Sequence, residues 1–246
     1  MKMKKSFTLL ELLIVIALVV IIAIAVLILF NPWTQMNKAW DSKRKTELTQ
    51  LNKALEDYYN DHGCYPKPAD ICYDSPVNVC TGLGSHTLDS QTCHICGNES
   101  GSPSFSPYLS KFPCDPQHSQ KKYLYQVAAA SGVSCPISVE DATNTCPQWY
   151  RIYSDLGNQS DAAIKELGCQ AGGCGVAPNY GYEYGVTSPN EKLKKTTAYY
   201  CYTPSKTCDN QSPKTYEMCE ANPSCVEIYS SRENCCLHQP KPLGCP

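Results

Sequence analysis

The stretch FTLLELLIVIALVVIIAIAVLILF runs from Phe7 to Phe30 and contains one ionisable side chain, Glu11, with neither Gly nor Pro. As an α-helix rising about 1.5 Å per residue, it would reach roughly 36 Å, enough to cross the hydrocarbon core of a bilayer with some tilt. A secretory signal has a shorter apolar core followed by a cleavage site of small residues, whereas this run ends in Asn31-Pro32. We therefore predict a membrane-spanning helix that stays attached to the mature protein.

Glu11 is the one charge inside this apolar run, and its position predicts a specific partner. A carboxylate at such a depth costs on the order of a few kcal/mol unless it is paired. The run contains no Lys or Arg, so the expected partner is a cation from another helix or a newly created amino terminus. A cut between Ser6 and Phe7 would supply an amine with an unperturbed pKa of about 7.7 to 8, which is largely protonated at neutral pH.

The segment from Lys4 to Leu13, KKSFTLLELL, resembles the cleavage signal of type IV pilins and type II secretion pseudopilins. The resemblance implies that a prepilin peptidase cuts before Phe7 and methylates its amine, and that Glu11 guides docking into a filament. The family usually has Gly before the cut, where this chain has Ser6. The resemblance also implies that the chain is a structural subunit, which assembles with copies of itself and other pilins on a membrane platform.

The cysteines predict the compartment of the remaining chain. All 17 lie between Cys64 and Cys245, which is roughly 9% of residues 62–246 and is typical of oxidised extracytoplasmic scaffolds. The odd count leaves at least one cysteine not paired within the chain, and spacing does not determine the pairing. The candidate disulfide cysteines are Cys64, Cys72, Cys80, Cys93, Cys96, Cys114, Cys135, Cys146, Cys169, Cys174, Cys201, Cys208, Cys219, Cys225, Cys235, Cys236 and Cys245.

The charge distribution argues against a nucleic-acid partner, and the apolar run together with the cysteines argues against a cytosolic enzyme. Residues 1–61 carry 8 Lys or Arg and 6 Asp or Glu, whereas residues 62–246 carry 13 and 17. The distal part is mildly acidic, with only local lysine patches at 121–122 and 192–195. We expect the basic amino-terminal end in the cytoplasm, a single span in the cytoplasmic membrane, and the bulk outside it, in an extracellular filament after assembly.

Beyond the span, the sequence predicts a kink near Pro32 and an amphipathic helix to about Asn60, ended by Gly63. Its apolar side is expected to hold Met36, Trp40, Leu48, Leu51, Leu55 and Tyr58, with Lys43, Arg44, Glu47, Lys53 and Glu56 on other faces. The exit from the helix, an aromatic pair followed by Gly and Tyr-Pro, again resembles the pilin family.

Three segments rich in Tyr or β-branched residues predict a small antiparallel sheet: 122–128, 149–154 and 180–186. Its apolar face would cover the distal helix through Tyr123, Tyr125, Val127, Tyr150 and Ile152. Residues 67–120 show no sustained period, so we expect long loops pinned by bridges among the cysteines from Cys64 to Cys114. The predicted fold is α+β and disulfide-rich, with a leader at 1–6, a helix at 7–61, a head at 62–190 and a Cys-rich extension at 191–246.

The segment Phe112-Pro113-Cys114-Asp115-Pro116, followed by a Tyr-x-Tyr strand, is similar to a loop and strand of pilin-like proteins related to the major pseudopilin. Gln117-His118 stands where those proteins usually have Trp-Gly, so we do not transfer their calcium loop to Asp155 or Asp161. The extension is either a display or contact module or a tail that wraps over the sheet.

Catalytic and metal motifs are weak. Cys93-His94-Ile95-Cys96 has redox spacing but no βαβ context, and its zinc alternative would need Cys80 or His86. We predict no enzyme activity, cofactor or metal. The leading hypothesis is a type IV pilus subunit. The alternatives are a type II secretion pseudopilin, a membrane-tethered binding module that does not polymerise, and a thiol-disulfide oxidoreductase.

Overall fold

The computed structural model describes residues 8–81, 87–131, 144–177, 180–196 and 199–202, and then 219, 225, 227–230 and 235–236. The candidate cysteines Cys135, Cys208 and Cys245 lie outside these residues. Within the described part of the chain, the fold combines helices with an antiparallel sheet and disulfides, so the α+β, disulfide-rich prediction is confirmed at that level.

Two consecutive helices begin the described chain. Helix α1 runs from Leu9 to Phe30 and helix α2 from Pro32 to His62, separated by Asn31 with a left-handed φ of 37°. Pro32 is well placed at the start of α2, because its missing N–H would have no helical acceptor there. Gly63, with φ 68°, ends α2 and donates its N–H to the Tyr59 carbonyl at 2.7 Å. This is the residue at which the sequence predicts the helix end.

Over the residues that the structure describes, no helix combines the length and apolar character that crossing a membrane requires. The predicted span from Phe7 to Phe30 is therefore not confirmed and stays a prediction.

The head is built on a five-stranded antiparallel sheet in the order β1-β2-β3-β4-β5. Its strands are β1 Val77–Thr81, β2 Thr87–Ile95, β3 Tyr123–Ala128, β4 Tyr150–Ser154 and β5 Tyr184–Thr187. The last three overlap the predicted strands, with β5 beginning four residues later than expected. Two short helices, α3 Pro68–Ile71 and α4 Ala162–Leu167, lie in the connections.

The prediction of long loops throughout residues 67–120 is wrong, because β1 and β2 lie there. The sequence analysis did not predict strand β2 because both of its faces carry polar residues. These residues hide the alternation of apolar and polar side chains that is typical of a strand. Ser90 and Thr92 are buried on the face that points away from α2, where the Gln126 amide donates to Ser90 Oγ at 2.7 Å. A strand of this kind is stable because its buried polar groups are hydrogen-bonded.

The other face of the sheet packs against α2 and forms the main core. Leu48, Leu51 and Leu55 of α2 are fully buried there. The five side chains predicted to face the helix all belong to this cluster, joined by two from β2: Tyr123, Tyr125, Val127, Tyr150 and Ile152, with Cys93 and Ile95. Met36, predicted on the apolar side of the helix, is instead 38% exposed.

Disulfides tie the connections to this core. The structure forms Cys64–Cys146, Cys72–Cys93, Cys96–Cys114 and Cys169–Cys174. Cys80, Cys225, Cys235 and Cys236 are also disulfide-bonded. The prediction of disulfide stapling is confirmed in general. Cys64, however, pairs outside the group in which its partner was expected, because the end of α2 lies beside the segment that enters β4.

The described part of the carboxy-terminal extension contacts the head. Strands β6 Tyr200–Tyr202 and β7 Glu227–Tyr229 form a second antiparallel pair. Thr196 donates its N–H to the Gly173 carbonyl at 2.8 Å, and buried Tyr199 packs with Ala171. Of the two alternatives for the extension, these contacts favour a tail that covers part of the head over a separate display module. The predicted boundary at residue 191 and the other domain limits stay predictions.

Candidate processing and assembly site

Two of the three predicted processing and assembly residues, Ser6 and Phe7, lie outside the described residues. The first residue that the structure describes is Thr8, which caps α1. Glu11, the third, is in the first turn of α1, and its side chain is exposed. The structure therefore describes the carboxylate that is predicted to act in docking, and not the predicted cut.

Glu11 forms a capping box with Thr8. The Thr8 N–H and Oγ1–H each donate to Glu11 Oε2 at 2.9 Å, and the Glu11 N–H donates to Thr8 Oγ1 at 3.2 Å. This arrangement pairs backbone donors that the first turn of a helix leaves without partners. Glu11 therefore has uncharged hydrogen-bond partners within its own chain, and the expected cationic partner from another chain stays a prediction. The Thr-x-x-Glu spacing is the sequence signal that reveals this contact.

The large apolar side chains of α1 among residues 9–24 and 26 have no cover within the described chain. Among residues 9–24 and 26, the large hydrophobic side chains are between 44% and 82% exposed, with Leu9 the most exposed. Burying one such side chain contributes about 1.5 to 3 kcal/mol. A contiguous apolar surface of this size marks an interaction site with other apolar material.

The junction between α2 and the head is electrostatic as well as apolar. Arg44 is fully buried and forms a two-bond pair with Asp115, in which Nε and Nη2 each donate to the carboxylate at 2.8 Å. Arg44 Nη1 donates to Asp41 Oδ1 at 2.8 Å, and Nη2 also donates to Gln117 Oε1 at 2.9 Å. Burial lowers the pKa of Arg44, but the bonds to Asp115 and Asp41 outweigh burial and raise that pKa. The guanidinium is therefore held charged inside the protein.

Asp41 and Lys45 extend this junction to the loop after β4. The Gly157 and Asn158 N–H groups each donate to the Asp41 carboxylate at 2.8 Å. Lys45 Nζ lies 2.6 Å from Asp161, whose side chain also caps α4. Burial raises the pKa of Asp161, but hydrogen bonds from Lys45 and from the backbone outweigh that effect and lower its pKa.

The polar residues of α2 that were predicted on its other faces are largely used by the head. Arg44 is buried, Glu47 accepts a hydrogen bond from the Tyr123 hydroxyl, and Glu56 accepts from the hydroxyls of Tyr65 and Tyr150. Lys43 and Lys53, from the same set, are exposed, so the head covers only part of the polar side of the helix. The head contacts α2 over a wider arc than the apolar stripe alone covers.

A carboxyl pair lies at the end of β4. Glu183 accepts hydrogen bonds from the Leu156 N–H at 3.0 Å and the Gln159 amide at 3.2 Å, and it is hydrogen-bonded to Asp155. Burial, reinforced by the charge of Asp155, raises the pKa of Glu183 to about 7. Burial likewise raises the pKa of Asp155. One proton is therefore shared between these two carboxyl groups near neutral pH.

Cys93 and Cys96 do not form a disulfide with each other. Cys93 lies in β2 and pairs with Cys72, whereas Cys96 pairs with Cys114. His94, between them, contacts Asp74 at 2.7 Å. Of the cysteines and histidines considered for zinc, Cys80 is disulfide-bonded and His86 lies outside the described residues. An oxidised cysteine carries no thiolate, so these cysteines offer a metal none of its usual sulfur ligand.

Comparison with known proteins identifies the amino-terminal segment. Residues 1–27 match the family described as prokaryotic N-terminal methylation motif. The resemblance carried by Lys4 to Leu13 is therefore confirmed as the prepilin cleavage motif of type IV pilins and pseudopilins. Among curated proteins and among solved structures, no match is found.

Proposed function

We propose that this chain, which carries the prepilin cleavage and methylation motif, is a structural subunit of a type IV pilus-type filament. The observation that carries the proposal is the combination of that motif with α1, whose apolar side chains are exposed along its described length. A subunit of this kind needs one apolar environment before assembly and another afterwards. A bilayer supplies the first, and the α1 helices of neighbouring copies supply the second.

Glu11 has the position and exposure that docking requires. Its carboxylate lies at the amino-terminal end of α1, where Thr8 is its hydrogen-bond partner. A capping contact of this kind, open to solvent, is weak. The Thr8 donors are neutral, whereas a charged amine from a neighbouring Phe7 would add the attraction between two opposite charges to its hydrogen bond with the carboxylate. Docking would therefore replace the weak contact between Glu11 and Thr8 with a stronger contact between two subunits. This contact would favour one axial offset between neighbouring subunits in the filament.

The proposal implies defined partners and a defined location. Prepilin peptidase would cut between Ser6 and Phe7 and methylate the new amine, and a membrane platform would assemble the subunits with other pilins. Before assembly, the chain would lie in the cytoplasmic membrane with its disulfide-bonded head outside. The disulfides in the head support an oxidising compartment.

Two measurements in the native host test this proposal. Mass spectrometry of the protein from membrane and filament fractions should find methylated Phe7 as the first residue. Glu11→Ala should leave the head folded and reduce incorporation into filaments. An amino terminus that retains Met1, or filaments of normal abundance with the variant, would contradict the docking role.

Thr8→Val is the matched control for loss of the cap. It removes the Oγ1 contacts of the capping box but leaves the backbone N–H and the Glu11 carboxylate in place. If Glu11 acts in docking, Thr8→Val should incorporate far better than Glu11→Ala. Equal defects in the two variants would assign Glu11 to helix capping alone.

The second candidate function is a type II secretion pseudopilin. The loop that contains Asp115 and the strand that begins at Tyr123 favour it, because both are similar to segments of that group, and Asp115 anchors α2 here. Neighbouring genes separate the candidates: a retraction ATPase favours a pilus, and an outer-membrane secretion apparatus favours a pseudopilus. A membrane-tethered module would instead keep Met1 and never polymerise.

A further inference from the structure

A cavity of about 410 Å³ lies between the carboxy-terminal end of α2 and the segment 103–108. Tyr58, His62, Asp70, Phe105 and Tyr108 are among the residues that line it. This volume falls within the usual range of small-molecule sites, which is roughly 300 to 1,000 Å³. Neither the processing motif nor the junction between α2 and the head uses this cavity.

Aromatic rings form a continuous array along the cavity. Tyr58 is at its centre: its ring centroid lies 4.1 Å from that of His62 and 5.3 Å from that of Phe105, both in stacked arrangements. Tyr108 meets Tyr58 edge-on at 5.3 Å. Phe105 is buried in the main core, so the array is held against a rigid part of the head. The rings are therefore preorganised in the absence of a ligand. Because His62 and Phe105 cover the two faces of Tyr58, a ligand would meet the ring of Tyr108 rather than a face of Tyr58.

Two carboxylates lie at the cavity: Asp70 lines it, and Asp61 is next to it through its bond to Tyr108. Asp61 accepts a hydrogen bond from the Tyr108 hydroxyl at 2.8 Å, and this bond, followed by burial, raises the pKa of Tyr108 to about 12. Burial and the charge of Asp70 raise the pKa of Tyr58. The described residues that line the cavity include neither Lys nor Arg. With Asp70 as a lining carboxylate and His62 as the one basic side chain among these lining residues, the cavity favours a cation over an anion.

We propose that this aromatic, acidic cavity binds a small organic cation that carries a quaternary ammonium group. The negative faces of aromatic rings attract a cation within about 6 Å, and a quaternary ammonium gives up its water more readily than a primary amine. The Tyr108 hydroxyl is engaged by Asp61. The hydroxyls of Ser104 and Ser106 also line the cavity and could hydrogen-bond a sugar, so a sugar is included below as a competing probe.

The location makes this inference independent of the proposed filament role. Helix α2 has 31 residues, and at about 1.5 Å per residue its carboxy-terminal end lies roughly 45 Å from its junction with α1. Loss of binding would therefore leave processing at Ser6 unaffected, and loss of processing would leave the cavity unchanged.

Titration of the full-length processed protein in neutral detergent tests the proposal. The probes are choline and 3,3-dimethyl-1-butanol, which replaces the ammonium with an uncharged carbon of the same shape. Binding is followed at pH 8 by calorimetry and by the tyrosine NMR signals. We expect choline to bind about fivefold or more tightly than the neutral probe, as cation–π attraction predicts. Equal binding of the two probes, or no saturable binding of choline, would overturn the proposal.

Variants locate the effect. Tyr108→Leu removes one ring, and Asp61→Asn removes the charge while retaining a hydrogen-bond acceptor for Tyr108; each should weaken choline binding by about fivefold. Asp89→Asn is the matched control, since this exposed carboxylate faces Lys194 on the sheet, and it should bind choline normally. Unchanged thermal unfolding of each variant shows that the head is folded. Normal choline binding by both Tyr108→Leu and Asp61→Asn, or displacement of choline by methyl glucoside, would contradict a cation site.

Discussion

The buried pair between Arg44 and Asp115 makes a strong prediction about the stability of the head. Both side chains are fully buried, and two 2.8 Å bonds join them across 71 residues of sequence. Breaking a buried ion pair by removing one partner costs about 3 to 5 kcal/mol, because the remaining charge loses its compensation. Asp41 still contacts Arg44 Nη1, so we expect Asp115→Ala to lower the free energy of unfolding by about 3 kcal/mol, the lower end of that range.

Thermal unfolding of the full chain in detergent, with disulfides intact, measures this effect through near-ultraviolet circular dichroism. For a domain of this size, 1 kcal/mol corresponds to about 2 to 4 °C, so the midpoint should fall by about 6 to 12 °C. Lys43→Ala is the control, because Lys43 lies 3.6 Å from Glu47 and its side chain is 58% exposed. Such surface pairs contribute about 0 to 1 kcal/mol.

A double variant distinguishes loss of the pair from loss of packing. Replacing both residues, as Arg44→Met with Asp115→Leu, removes both charges of the pair and should cost less than the two single losses added together. Residues in direct contact couple by about 0.5 to 3 kcal/mol in such cycles. The reasoning would be refuted if Asp115→Ala and Lys43→Ala unfolded at the same midpoint temperature. It would also be refuted if the double variant lost as much unfolding free energy as its two single variants added together.

Three further predictions concern the same head. Glu183 has a folded-state pKa of about 7 against an ordinary value of 4.5, so the folded state holds the extra proton and stability falls as pH rises from about 4.5 to 7. Glu183→Gln should flatten that decline and stabilise the head by about 2 kcal/mol at pH 8, as measured by urea unfolding; an unchanged pH profile would exclude the shared proton. Leu51→Ala should cost about 2 to 5 kcal/mol in the same assay, since Leu51 is fully buried in the main core, and a loss below about 1 kcal/mol would contradict that packing. The double variant Cys64→Ser with Cys146→Ser should cost roughly 2 to 5 kcal/mol, because this bridge closes a sequence separation of 82; a midpoint equal to that of the parent protein would show that the bridge does not form.

Local patterns in the sequence were sufficient to predict several parts of this structure. Three strands, the end of α2 at Gly63 and the five side chains on the inner face of the sheet follow from composition and periodicity. The capping box at Thr8 and Glu11 is equally readable, since its Thr-x-x-Glu spacing is a known helix-start signal. An interpretation of Glu11 from the cost of its charge alone overlooks this local partner.

Strand β2 and the burial of Arg44 could not be predicted from local sequence patterns. The polar residues of β2 become compatible with burial only when β3 supplies partners such as Gln126. Arg44 sits among lysines and glutamates in the sequence and is buried only because Asp115 arrives from a distant loop. No local pattern records the approach of such a partner.

The sequence by itself determined helix α1, the single carboxylate of that helix and the methylation motif, because apolar runs and short motifs depend on neighbouring residues alone. Only the tertiary structure decided which cysteines pair, which charges are buried and where the aromatic cavity lies. These features depend on segments far apart in the chain, and their free energy arises when those segments meet and exclude water.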